Sequence, residues 1–166
     1  MPLNKKKYEN TVLYLCQKLN GEIRGKKKLA KLLYFADFDF YEKYARSITG
    51  DVYRALPMGP FPNALEEMTA RLSKGGALNI ENVENGGTFN PTEVYRAKSG
   101  PDISALSEEE RSMLDRIALK YGQLNGKQLE ELSHAEAPYI GTKLREEIPY
   151  ELSYYRETDF SDLCPV

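Results

Sequence analysis

The sequence predicts a mainly α domain with a minor β component: a compact helical fold with a central buried aromatic helix and a small antiparallel hairpin. Three observations predict it. Apolar residues recur at helical spacing from Lys5 to Arg46; Ser107 with Glu110 and Asn125 with Gln128 form helix-opening capping boxes; and only short runs have strand-like composition. With 166 residues, 41% of them apolar, one domain can bury about two thirds of its unfolded surface. A single domain over residues 1–155 is expected, with a poorly ordered tail over 156–166.

The first helix is carried by Tyr8, Val12, Leu15, Cys16 and Leu19 and stops at Asn20 and Gly21. A short loop with Gly21 and Gly25 leads into a second helix, Lys26 to Arg46, that holds Tyr34, Phe35, Phe38, Phe40, Tyr41 and Tyr44. A helix with apolar residues around most of its circumference belongs inside. At about 100° per residue, the face centred on Asp37 also holds Leu33, Tyr34, Phe40, Tyr41 and Tyr44, while Lys28, Lys31, Asp39, Glu42, Lys43 and Arg46 fall opposite. Asp37 is therefore expected in the core, where backbone N–H groups or a tyrosine hydroxyl from another segment must satisfy its charge. Asp39, with Lys43 four residues on, needs no special role.

Val52 to Leu56 reads as a short strand, and Pro57, Pro60 and Pro62 as an extended connection. Asn63 with Glu66 resembles a capping box for a helix with Leu65, Met68 and Leu72 as its buried stripe, ended by Gly75 and Gly76. Leu78 to Val83 and Val94 to Ala97 flank a turn at Glu84 to Gly87, with a second break at Asn90 and Pro91. Two capped helices follow, Glu108 to Tyr121 and Asn125 to about His134, and then a turn-rich C-terminal piece.

Composition narrows the function. Mean hydropathy is -0.57, no apolar run approaches the length of a bilayer span, and the N-terminus lacks a secretory pattern, so a cytoplasmic protein without membrane partners is expected. Cys16 and Cys164 lie near opposite ends, which is no disulfide framework. His134 is the single histidine, so histidine-based zinc sites cannot be assembled, and no Cys-x-x-Cys, Gly-x-Ser-x-Gly, Walker loop or Gly-x-Gly-x-x-Gly occurs. No catalytic residue, metal or cofactor is expected. Residues 1–31 carry nine Lys or Arg against Glu9 and Glu22, a balance of +7; the net charge of -2 then leaves -9 for the rest. Such asymmetry reads either as a solvated helix face or as a surface for nucleic acid or an acidic partner.

At residues 31–62, KLLYFADFDFYEKYARSITGDVYRALPMGPFP, and again at LSHAEAPY, the chain resembles the Panacea domain family, which includes SocA-like antitoxins and phage-associated proteins. The first match runs through Lys31, Tyr34 and Asp37, then Tyr44, Arg46, Thr49, Asp51 and Tyr53, then Gly59, Pro60 and Pro62. The second comprises Ser133, His134, Pro138 and Tyr139. Tyr139 stands where the family usually has Trp, and Ala45 where a glycine commonly precedes the arginine. The resemblance implies a bacterial or phage cytosolic protein that binds and neutralises a toxin encoded beside it, directly or by delivering it to a protease unfoldase. It implies no catalysis.

On this resemblance Arg46, Asp51, Tyr53, Gly59, Pro60, His134 and Tyr139 form the partner-binding set, with Tyr34, Asp37 and Tyr44 as structural residues. Arg46, on the solvent side of its helix, is the leading contact, so Arg46→Ala is expected to weaken toxin capture and leave thermal stability nearly unchanged. A second reading is a DNA-binding regulator: the helices around 122–126 resemble a helix-turn-helix, the hairpin a wing, and only the Lys5 to Lys31 region could supply phosphate contacts. A third is a hydrolase or modifying enzyme using His134 with Asp37.

Overall fold

A computed structural model describes residues 2–84 and 91–164. The turn expected around residues 85–87 and the break at Asn90 lie outside the described residues. The fold is mainly helical with two small antiparallel sheets. Helix α1 (Lys5–Lys18) starts where the Asn4 side chain accepts from the Lys7 amide. Strand β1 (Glu22–Arg24) occupies part of the expected loop. It pairs with β5 (Thr92–Ala97), which also pairs with β4 (Leu78–Val83), so the predicted hairpin becomes a three-stranded sheet in the order β1-β5-β4.

Helix α2 (Lys26–Tyr44) buries every residue from Leu29 to Phe40. Strands β1 and β5, the strand Gly59–Pro62, the helices Glu108–Tyr121 and Gly126–His134 and the C-terminal 3-10 stretch Tyr150–Arg156 all pack against it. This explains two departures from the helical-face reading: Lys31 and Asp39, assigned to the outer side, are each 1% exposed. A helix covered all round has no solvent side along its middle. Ala45, in the left-handed conformation, ends α2 before Arg46.

The proline-rich stretch is also more ordered than an extended connection. Strand β2 (Tyr53–Leu56) turns back through Pro57 and Met58 into β3 (Gly59–Pro62), with Tyr53 opposite Pro62 and Leu56 opposite Gly59. Residues 145–148 cover the other edge of β2, through Arg145 N to the Ala55 carbonyl and Ile148 N to the Tyr53 carbonyl. Helix α3 (Leu65–Lys74) begins at Ala64 without a side-chain cap of its own, so Asn63 does not play the expected role. Asp51 takes it, accepting from the Ala64 amide at 3.0 Å.

Helices α4 (Glu108–Tyr121) and α5 (Gly126–His134) carry both predicted capping boxes. Short α6 (Ala137–Ile140) and a 3-10 stretch (Tyr150–Arg156) complete the chain. Residues 156–164, part of the segment expected to be loose, pack back onto the domain. Arg116 reaches Asp162 at 2.7 Å, Ser112 donates to the Cys164 carbonyl at 3.0 Å, and Phe160 and Leu163 pack against the core. Composition marks this tail as polar; its ionic partners lie far away in sequence.

Candidate functional site

The polar residues of α2 organise the site. Asp37 is fully buried, and its carboxylate collects the donors expected for it. Oδ1 accepts from the Ile48 and Thr49 amides, both at 2.9 Å, and Oδ2 from the Thr49 hydroxyl and the Tyr53 hydroxyl, both at 2.6 Å. Burial pushes its pKa up to about 6, while the Thr49 and Tyr53 hydrogen bonds pull the other way. This knot fixes the bend between α2 and β2. Next to it, Asp51 caps α3 and accepts from the Val52 amide at 2.7 Å, and the Tyr150 hydroxyl donates to the Asp51 carbonyl at 2.6 Å.

A second knot lies two residues along the helix. Asp39 receives Arg116 at 2.7 Å and Arg156 at 2.8 Å, and Arg156 also reaches Glu42 at 2.7 Å and Glu136 at 3.0 Å. The Tyr34 hydroxyl donates to Glu136 at 2.7 Å. Burial raises the pKa of both Asp39 and Glu136, opposed chiefly by Arg156. The tail arginine thus joins α2 to the start of α6.

The third assembly reaches the surface. Lys31 donates to the Pro60 carbonyl at 2.9 Å, and burial lowers its pKa to about 8. Gly59 lies directly over it with φ +104°, and a Cβ at that position would sit 2.8 Å from Lys31 Cε and 2.9 Å from Ser133 Oγ. Only glycine permits this approach of hairpin, α2 and α5. His134 stacks on Tyr139 with centroids 4.5 Å apart, and the Tyr139 hydroxyl donates to the Leu56 carbonyl at 2.7 Å. Above this floor is a groove of about 460 Å³ lined by Leu56, Pro57, Met58 and Phe61 together with Lys26, Lys27 and Lys31. Met58 at the hairpin tip is 60% exposed.

The predicted partner-binding residues therefore separate. Gly59 lines the groove, Pro60 accepts from Lys31 next to it, and the stacked pair His134 and Tyr139 joins the hairpin through the Tyr139 hydroxyl on the Leu56 carbonyl. Asp51 and Tyr53 are buried and engaged within the chain, so they shape the surface without forming it. Arg46 is not a free contact: it lies over the Phe40 ring at 4.8 Å and pairs with Glu110 at 3.2 Å and Glu109 at 3.7 Å at the start of α4. Tyr44 packs against Phe40, centroids 4.6 Å apart. Both Asp37 oxygens are taken by donors of the bend, Ile48, Thr49 and Tyr53, and not by His134.

The cations of the basic N-terminal segment have partners within the chain. Of the nine cations in residues 1–31, seven pair with carboxylates: Lys5, Lys6, Lys7, Lys18, Arg24, Lys26 and Lys27. Lys28 donates to the Gly122 carbonyl and Lys31 to that of Pro60. Helix α5, the would-be recognition helix, packs on α2 and β3. These surface pairs partly offset the basic N-terminal segment, and no observation supports a nucleic-acid surface there.

Sequence reasoning missed Met58, Glu136 and Arg156, and gave Lys31 the wrong side. Lys31 stands inside the quoted motif and could have been found there; Arg156 has no local signal. Among the described residues no helix is long and apolar enough to cross a membrane, and no cluster of His, Cys, Asp and Glu is placed to hold a metal. Residues 29–139, from the first turn of α2 to α6, match the family described as antitoxin SocA-like, Panacea domain. No curated protein and no solved structure matches the chain.

Proposed function

Because the chain belongs to the SocA-like antitoxin family of Panacea domains, we propose that it binds a toxin protein and neutralises it, directly or by delivering it to a protease. The family match carries this reading. The surface best suited to the contact is the groove at the β2–β3 tip, because Lys31 and Gly59, remote in sequence and both within the matched segment, line it with Ser133 packed behind Gly59. Apolar side chains on a rigid, hydrogen-bonded support are what a protein contact needs, since little conformational entropy is then lost on docking.

Co-expression with the polypeptide encoded beside this chain tests the proposal. Growth restored by co-expression, with the two proteins copurifying, is the expected result; shortened toxin half-life without a stable complex would assign neutralisation to proteolytic delivery. A neighbour that is harmless alone, or stays toxic in the presence of the chain, refutes the reading.

A further inference from the structure

The C-terminal segment lies on the domain as a bound peptide would. Residues 157–163 carry three carboxylates and no cation, and they cover a surface of α2 and α4 that presents Lys43 and Arg116. Phe160 meets both cations, its ring centroid 4.9 Å from the Arg116 guanidinium and 5.8 Å from Lys43 Nζ. Asp162 accepts from Arg116 Nε at 2.7 Å, and Thr158 donates through its amide and its hydroxyl to Glu42, both at 2.7 Å. The segment buries little: Glu157, Asp159, Ser161 and Asp162 are exposed. Nor does it saturate Arg116. Nη1 goes to Asp39 at 2.7 Å, whereas Nη2 is buried and has no hydrogen-bond partner among the described residues. A buried donor left unmet is costly, so a carboxylate that engaged Nε and Nη2 side by side would bind Arg116 better than Asp162 does.

We infer that residues 157–163 are a displaceable internal ligand, and that the surface beneath them accepts a segment of a partner protein with the same chemistry, an aromatic ring followed two residues later by a carboxylate. The ring replaces Phe160 between Lys43 and Arg116, and the carboxylate replaces Asp162 and gains Nη2. Arg156, whose side chain is 4% exposed and bound to Asp39, Glu42 and Glu136, stays in place as the anchor. Opening begins after it, at Glu157, whose backbone is left-handed with φ 52°. A tail tethered this closely competes at an effective concentration of about millimolar, so the surface stays closed to weak ligands and opens to a segment that binds more tightly. The inference uses no residue of the groove and takes nothing from the antitoxin reading.

Two measurements on the full chain test it. In the first, a fluorescent capped peptide of residues 157–163 is titrated by anisotropy into wild type and into a Phe160→Ala, Asp162→Asn double variant, in which the tail has lost its hold and the surface is open. The variant is expected to bind the peptide at least about tenfold more tightly than wild type, and a peptide carrying the same two changes is expected to bind neither. No saturable binding to the variant up to about 1 mM, equal affinity for the two proteins, or equal binding of the altered peptide overturns the inference. A concentration-dependent dimer of wild type that the double variant loses assigns the surface to a second copy, and overturns it as a site for another protein. In the second, amide hydrogen exchange of wild type is followed residue by residue. The Thr158 amide, bound to Glu42, and the Leu163 amide, bound to the Phe160 carbonyl at 3.0 Å, are expected to show protection at least about a hundredfold below that of amides in the middle of α2, since the segment opens locally. Exchange of these amides at the rate of global unfolding shows a tail integral to the core and overturns the inference.

Discussion

Replacing Asp37 with Asn keeps the shape of the side chain and removes its charge, so the pair isolates the energetics of one buried carboxylate. In the folded chain its pKa lies at about 6, against an ordinary 3.8, because burial outweighs the hydrogen bonds from Thr49 and Tyr53. The folded value is the higher one. The native state therefore binds the proton more tightly than the unfolded chain, and the stability this contributes is fully present below pH 3.8 and lost as pH rises through about 6. The whole gap is worth about 3 kcal/mol, of which about 1.4 kcal/mol is recovered on going from about pH 8 to about pH 5. Urea unfolding of both proteins at those two pH values reads the effect directly. Asp39, Asp51 and Glu136 titrate in both and largely cancel in the difference. Wild type is expected to gain about 1.4 kcal/mol relative to Asp37→Asn on acidification. A difference that stays constant, or grows as pH rises, refutes the assignment of burial as the dominant cause.

Other perturbations test the remaining contacts. Arg156→Met leaves Asp39, Glu42 and Glu136 without their shared cation, and the expected loss of about 3–5 kcal/mol lowers the melting temperature by about 10 °C in calorimetry. Gly59→Ala drives a methyl group to 2.8 Å from Lys31 Cε and 2.9 Å from Ser133 Oγ, whereas Gly76→Ala, also at positive φ, meets nothing within 4 Å. Denaturant midpoints should place the first below the second, by about 1–2 kcal/mol. Arg46→Ala removes a ring contact and two ion pairs, but Glu110 keeps Lys7 and the Ser107 amide; a modest loss of about 1 kcal/mol is expected in thermal melts. Wild type is expected to give no electrophoretic retardation of duplex DNA at low salt, since Lys26, Lys27 and Lys28 are engaged within the chain; a shift that disappears when the three are changed to Gln refutes this.

What the sequence made legible was local, and what it hid was distant. The capping boxes at Ser107 and Asn125 need only residues three apart, and both form. The need of Asp37 for donors followed from its ring-bearing neighbours, and the donors come from residues 11 to 16 positions downstream. Asp39 had an adequate local partner in Lys43, and only the fold brings Arg116, 77 residues away, to displace that arrangement. Strand β3 was obscured for another reason. Pro60 and Pro62 carry no amide hydrogen, so the usual strand signal is absent, yet their carbonyls and rings fit a two-stranded hairpin against β2. The groove arises from three such remote meetings at once, and no window of the sequence contains it.

The inward placement of Lys31, Asp37, Asp51, Tyr53 and Gly59 bears on where selectivity resides. A side chain whose polar atoms are engaged inside the domain sets the shape of a surface, but it cannot discriminate between partners that touch only the outside. In the proposed binding mode, discrimination falls to Pro57 and Met58, which occupy the hairpin tip between the buried positions and are both exposed. Substituting them leaves the bend knot around Asp37 intact, because the donors there come from Ile48, Thr49 and Tyr53. The architecture thereby separates the residues that hold the platform from those that read a partner, and a swap of the two tip residues should change which toxin is captured while the unfolding midpoint stays within about 0.5 kcal/mol of wild type.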